Sequence, residues 1–255
     1  MRVLIVFENK NVDNLFVPTL YRGLQEKGID VEVSVEKFWI DDIFYDIIHF
    51  QWPEEITGWN NQYTQKIQLL EKRIAFLKKQ GSKFIYTRYN SRPHYYNSVT
   101  YSAYNIIESS CDMIVHMGQF SYDEFKQQYP QSHNVIIPHH IYENTYNENI
   151  TKKEAREKLN LPLDKFIIIA FGKFRQKNEI IMVITSFLKF KCKNKYLLAP
   201  RLLPFSPHAR NKSSLKKFLS SILYHTSKFI CKLNLIQANS NEMIISNEEL
   251  PYYII

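Results

Sequence analysis

Glycine is scarce in this chain, six residues of 255, at positions 23, 28, 58, 81, 118 and 172. No two of them stand as G-x-G, which excludes both a GxGxxG dinucleotide loop and a Walker A loop. A strict D-x-D pair, the metal-holding motif of many sugar transferases, is also missing. Cysteine is rare too: Cys111, Cys192 and Cys231 are an odd number with no C-x-x-C, which speaks for a reducing compartment and against a disulfide framework or a zinc ribbon. No apolar run approaches the ~18 residues that span a bilayer, and the chain enters a strand-like run at Arg2 without a charged leader and apolar h-region. The expectation is a cytoplasmic protein. Acid is missing from one whole segment: between Glu179 and Glu242 there is no Asp or Glu, against 11 Lys and Arg. The rest of the chain holds 22 basic and 25 acidic side chains, so the net charge of +8 belongs to that segment alone. A locally basic stretch argues against a nucleic-acid-binding fold clothed in positive charge.

What is present is enough to build a core, with 45% hydrophobic and 23% charged residues. Short apolar runs alternate with helical patterns, the mark of a parallel α/β architecture. Strands are predicted at 2–7, 31–35, 45–50, 83–87, 113–116 and 134–137. Helices are predicted near 14–27, 62–80, 97–109 and 120–129, with Gly28 as the residue past the end of the first. A polar connector at 139–150 is followed by Thr151-Lys-Lys-Glu154, a capping box that opens a short helix. The pattern then restarts with a strand at 165–171, a helix near 178–190, a strand at 195–199 and a last apolar piece at 242–245. The expected domains are 1–145 and 146–255, the first complete with six strands and the second incomplete with about three.

In open parallel sheets ligands bind beyond the carboxyl ends of the strands. Those ends carry Glu8 and Asn14, then His49, Gln51 and Trp52, then Thr87-Arg-Tyr-Asn-Ser-Arg-Pro-His94, then His116, and finally His139 and His140. His49 and His116 also read as ordinary buried, hydrogen-bonded histidines. His133, His139 and His140 invite a metal reading, but no carboxylate or cysteine stands at ligand spacing, so no metal is expected. In the second half, Gly172 closes an apolar strand, a loop carries Lys173, Arg175 and Lys177, and a helix follows at once. Free N–H groups with a guanidinium and ammonium groups suit a diphosphate; a plain turn with solvated cations is the other reading. Over 212–234, apolar and cationic residues take opposite faces at helical spacing. This fits either the surface of an anionic membrane or a surface helix packed on its own sheet.

These pieces together, MRVLIVFENKN, YDIIHFQWPEEI, TRYNSRPHYYN, CDMIVHMGQFS, NVIIPHHIYEN, KEAREKLNL, IIIAFGKFRQKNE and YLLAPR in that order, resemble bacterial glycosyltransferases of family 4, particularly those of capsule and surface-polysaccharide clusters. The resemblance implies a GT-B fold of two Rossmann-like domains. It also implies retaining, metal-independent transfer of a sugar from a nucleotide-sugar to a glycan or polyprenyl-linked acceptor, with no cofactor. By the same resemblance Gly172, Arg175 and Lys177 would touch the donor diphosphate, while Asn14, His49, Asn90, His94 and His116 would lie on the acceptor side. Tyr89 stands where relatives often carry a histidine near the reacting sugar, and a tyrosine is a far weaker base. The chain reaches Ile255 where the family continues into further donor-domain strands. The expectation is therefore a C-terminally shortened member, weak or inactive alone and peripheral on the inner face of the plasma membrane. The alternative is a non-catalytic glycan- or lipid-linked-sugar-binding remnant, or a subunit that needs a second chain.

Overall fold

The structure, a computed structural model, describes residues 1–8, 14–59, 62–93, 97–142, 145–147, 149–172, 174, 177–203, 236–240, 245–246 and 248–254. The chain divides into two compact units, Met1–Tyr142 and Glu143–Ile255.

In the first unit, β1 (Arg2–Val6), β2 (Asp30–Val33), β3 (Ile47–Phe50), β4 (Lys83–Arg88), β5 (Met113–His116) and β6 (Asn134–Ile136) form one sheet in the order β2-β1-β3-β4-β5-β6. Every neighbouring pair is parallel. The helices are α1 (Phe16–Glu26), the one-turn α2 (Glu54–Thr57), α3 (Thr64–Lys79), α4 (Ser98–Ser110) and α5 (Gln119–Gln128). Both sheet faces are covered, which is why the strands read as almost unbroken apolar runs. Leu4 and Val6 of β1 face one core with Ile48, Phe50, Phe84 and Tyr86, closed by Leu70, Ile74 and Leu77 of α3 and Ala103 and Ile107 of α4. The alternate residues Val3 and Ile5, with Phe7 beyond the strand, face a second core with Phe16, Val17 and Val31. Local signals close the helices. Gly28 takes φ +73°, which an L side chain adopts only at a cost, just past α1. Asn97 accepts the N–H groups of Val99 and Thr100 at the head of α4.

The second unit holds α6 (Lys152–Lys158), β7 (Phe166–Ile169), α7 (Lys177–Lys189), β8 (Lys195–Leu203), β9 (Ile236–Ser240) and α8 (Leu250–Ile254). The capping box is present: Thr151 Oγ1 accepts the Glu154 N–H at 3.3 Å, and Glu154 accepts the Thr151 N–H at 2.7 Å. Among the described residues the sheet has three parallel strands in the order β7-β8-β9. Its third strand, Ile236–Ser240, is one that the sequence reading did not mark. Ala238 of β9 is deeply buried, in a core with Phe187, Leu197, Ala199 and Leu202. Gln237 instead bonds the Leu159 carbonyl at 3.1 Å, so the strand lacks an apolar run to announce it. Residues 242–244, and the basic 212–234 stretch, lie outside the described residues. No helix among the described residues is long and apolar enough to cross a membrane.

Candidate functional site

A parallel sheet gathers all its carboxyl strand ends on one edge. The strand order reverses between β1 and β3, and the crevice at such a switch point is where ligands enter sheets of this kind. In this chain β1 runs out into Phe7 and Glu8, while β3 runs into Gln51, Trp52, Pro53 and the turn of α2. Sequence reading singled out Gln51 and Trp52 there but passed over Glu54 and Glu55, whose only signal is a pair of acids directly behind a buried strand.

Both carboxylates are buried. Tyr104 donates its hydroxyl to Glu54 at 3.1 and 3.2 Å, and Tyr104 also engages Asn90. Glu55 accepts the backbone N–H of Glu8 at 3.1 Å and the Trp59 indole N–H at 3.0 Å, tying the end of β1 to the end of α2. Burial is the main force on Glu55, and with the Glu8 and Glu54 charges it pushes this carboxyl up to about 7. A carboxyl with that value can take up or release a proton at neutral pH.

Beside it, Tyr89 stacks on Trp52 with ring centroids 4.4 Å apart and meets Phe16 edge-on at 5.0 Å. Its hydroxyl donates to Gln51 Oε1 at 2.6 Å. Phe16 in turn packs on His140 at 4.4 Å and His139 at 4.9 Å. Two buried polar atoms of this cluster, Gln51 Nε2 and His140 Nε2, have no hydrogen-bond partner. Buried orphans of this kind are uncommon and mark places where a ligand or water completes the bonding.

The predicted site residues fare differently. Tyr89 and Asn90 stand on this rim. For Tyr89, however, burial raises the phenol well above its ordinary range, so it keeps its proton and serves as a donor, not as a base. Half-buried His49 bonds Thr87 Oγ1 at 2.8 Å across β3 and β4, and burial pushes it down to about 4, leaving the ring neutral. Asn14 is exposed, its Oδ1 accepting the Phe16 N–H at 3.0 Å where α1 begins.

His116 requires a correction. It is fully buried, with Nδ1 on Ser121 Oγ at 2.9 Å and Nε2 on Asn134 Oδ1 at 3.0 Å, so it fastens β5 to its neighbours and presents nothing to an acceptor. His94 lies outside the described residues. Among the described residues no three His, Cys, Asp or Glu side chains gather as a metal site.

In the second unit Gly172 follows β7 with φ +108°, a conformation that L side chains rarely adopt, and a Cβ built there would meet open space. The helix α7 starts five residues later, at Lys177. Arg175 and the Lys177 side chain lie outside the described residues.

This assembly defines a class: parallel α/β units of Rossmann-like topology with polar and aromatic groups collected at the carboxyl strand ends. A solved structure of that fold is similar over nearly the whole chain. It is Alr3699/HepE of Anabaena, crystallised in complex with UDP, with a TM-score of 0.55 and 11% identity over 99% of this chain and 71% of that one. No protein-family model matches the chain, and no curated protein matches it in sequence.

Proposed function

We propose that the protein acts in glycosyl transfer, binding a nucleotide-sugar donor through the second unit and a glycan or lipid-linked sugar acceptor at the rim of the first. The observation that carries the reading is the likeness, along 99% of the chain, to a protein whose crystals hold UDP. A positive-φ glycine between an apolar strand and a helix, followed by Lys173, Arg175 and Lys177, supplies the chemistry to hold a diphosphate. Such cations stabilise a departing nucleotide without a metal, which is the retaining, metal-independent route that the family 4 resemblance implies. On the acceptor side Tyr89 and Asn90 offer hydrogen bonds, and Glu55 a proton-exchanging carboxyl behind them.

Isothermal titration with UDP tests the reading. Saturable binding to the full chain that Arg175→Ala weakens by at least tenfold, or about 1.4 kcal/mol, is the expected result. No UDP heat, together with no UDP release from any of a panel of UDP-sugars, would overturn it. Attachment of 212–234 to an anionic membrane belongs to the same proposal. Co-sedimentation with phosphatidylglycerol vesicles, abolished by high salt, is its signature.

A further inference from the structure

A second recess opens on the same rim, between the ends of β4 and β5. Arg88, Tyr89, Asn90, Arg92, Phe120 and Glu124 are among the residues that enclose a cavity of about 370 Å³. That lies toward the lower end of the ~300–1,000 Å³ typical of small-molecule pockets. Its floor is an ion network. Arg88, only 2% exposed, donates from Nε to Glu108 at 3.1 Å and from Nη1 to Glu124 at 2.8 Å and Ser121 Oγ at 3.1 Å. Arg92 reaches the other side of Glu108, with Nη1 at 3.0 Å from Oε2. Two guanidinium groups therefore face two carboxylates. A phosphate arriving here meets as much negative charge as positive, so the recess does not favour an anion. What it offers is a dense set of donors and acceptors in fixed positions. His116, closed off behind it, holds Ser121 in place.

The mouth of the recess has an opposite character. Phe120, on the first turn of α5, is 84% exposed, the highest value among the large hydrophobic side chains of the described residues. An isolated exposed apolar residue needs no explanation in general. A bare phenyl ring at the lip of a charge-balanced polar recess is a more specific combination. The face of a pyranose is a patch of C–H bonds that packs on an aromatic ring, while its equatorial hydroxyls call for paired donors and acceptors. Charged forks and amides with an aromatic face alongside satisfy both demands.

We infer that the β4–α5 recess is a saccharide subsite that takes one neutral hexose unit, with Phe120 as its stacking platform and Asn90, Arg92 and Glu124 as its hydroxyl partners. The inference rests on reading the first unit as the acceptor side, and it extends that reading to a place and to an uncharged ligand.

Saturation-transfer NMR of the full chain with methyl glycosides of glucose, galactose and N-acetylglucosamine, UDP titrated on the same samples, tests it. At least one glycoside is expected to receive saturation. Phe120→Ala should weaken that binding about tenfold, the scale of one lost aromatic face, and Phe120→Trp should preserve it. Phe120 is exposed, so both variants should keep the parent's melting curve and UDP affinity. Three results would overturn the subsite: no transfer to any glycoside, transfer indifferent to Phe120→Ala, or displacement of the glycoside by millimolar inorganic phosphate. UDP binding without glycoside binding sinks the subsite and leaves the proposed function standing. Phe120-dependent glycoside binding without UDP binding does the reverse.

Discussion

The opening strands of the two units are alike in sequence and opposite in fate. β1, Arg-Val-Leu-Ile-Val, lies between β2 and β3 with a helical layer on each face, and Leu4 and Ile5 are wholly buried. β7, Phe-Ile-Ile-Ile, pairs only with β8 among the described residues and leaves Phe166 54% and Ile169 40% exposed. Met182 and Leu188 of α7 and Phe190 just after it are exposed as well. Apolar content thus marks a strand but does not decide what it becomes. Burial is conferred by neighbours, and the first unit supplies them on both sides.

The comparison can be broken first at its strongest point, the buried charges. Replacing Arg88 by Met takes one of two guanidinium partners from Glu108, whose side chain is fully buried, and leaves it Arg92 alone. Breaking a buried pair costs about 3–5 kcal/mol, and the remaining partner keeps the loss near the lower end. In the second unit Arg156 bonds the backbone carbonyls of Pro162, Leu163 and Lys165. Arg156→Met there removes charged hydrogen bonds without orphaning a charge, at about 1–3 kcal/mol. Urea denaturation read by hydrogen exchange in each unit separates the two, and equal losses would contradict the contrast.

Next in size are the strands themselves. Leu4→Ala empties a sealed site and should cost about 2–5 kcal/mol, whereas Ile169→Ala on the exposed side of β7 should cost below about 1 kcal/mol. A large loss at Ile169 in the same experiment would mean that β7 is covered in solution.

The same logic explains how far the sequence could be read. Strands buried on two faces are legible, because both alternating sets of side chains are apolar, as in Val3-Leu-Ile-Val6 of β1. Purely local devices are legible as well: the Thr151–Glu154 box needs only four consecutive residues. β9 was not legible, since Gln237, Asn239 and Ser240 leave its sequence without an apolar run. The site was legible as a rim, because strand ends can be counted, but not as chemistry. Glu55 acquires its character from burial completed by distant chain, bonded to Glu8, 47 residues away, and buried Tyr89 is bonded to Gln51, 38 residues away. His116 looks the same in sequence whether it touches a substrate or, as here, two neighbouring side chains.

Smaller again is a pH effect confined to the first unit. The Glu55 carboxyl keeps its proton in the fold up to about pH 7, while in the unfolded chain it lets go near 4.5. Between those values the native state holds more protons than the unfolded one, so stability is fully present below 4.5 and falls as pH rises through 7. The loss is of order 1–3 kcal/mol. His49, held down to about 4 against 6.5, acts in the opposite sense: its contribution is lost as pH falls from 6.5 through 4. His116 and His140, also lowered, share its sign, and Glu108, raised, shares that of Glu55. In the parent these slopes offset one another. Glu55→Gln removes one falling limb, and the difference between parent and variant in urea midpoint from pH 4.5 to 7.5 isolates it. A difference that does not change with pH would show that Glu55 titrates normally.

The smallest expected contrast lies between two helix caps. Asn97 heads α4, a 13-residue helix that buries Ala103 and Ile107 in the main core. Its carbonyl oxygen satisfies two N–H groups, and Asn97→Ala should lower the stability of the first unit by about 1 kcal/mol, the usual worth of a cap. Thr151 heads α6, seven residues long, with Ala155 its one buried side chain. So short a helix has little packing to fall back on, because most helical stability in proteins comes from a buried face. Thr151→Ala should therefore let α6 open locally, seen as faster amide exchange over Lys152–Lys158, while the urea midpoint of the three-stranded sheet stays where it was. If that midpoint moved as far as the first unit's does for Asn97→Ala, α6 would be an integral part of its unit, and the two halves of the chain would be more alike in cooperativity than their burial implies.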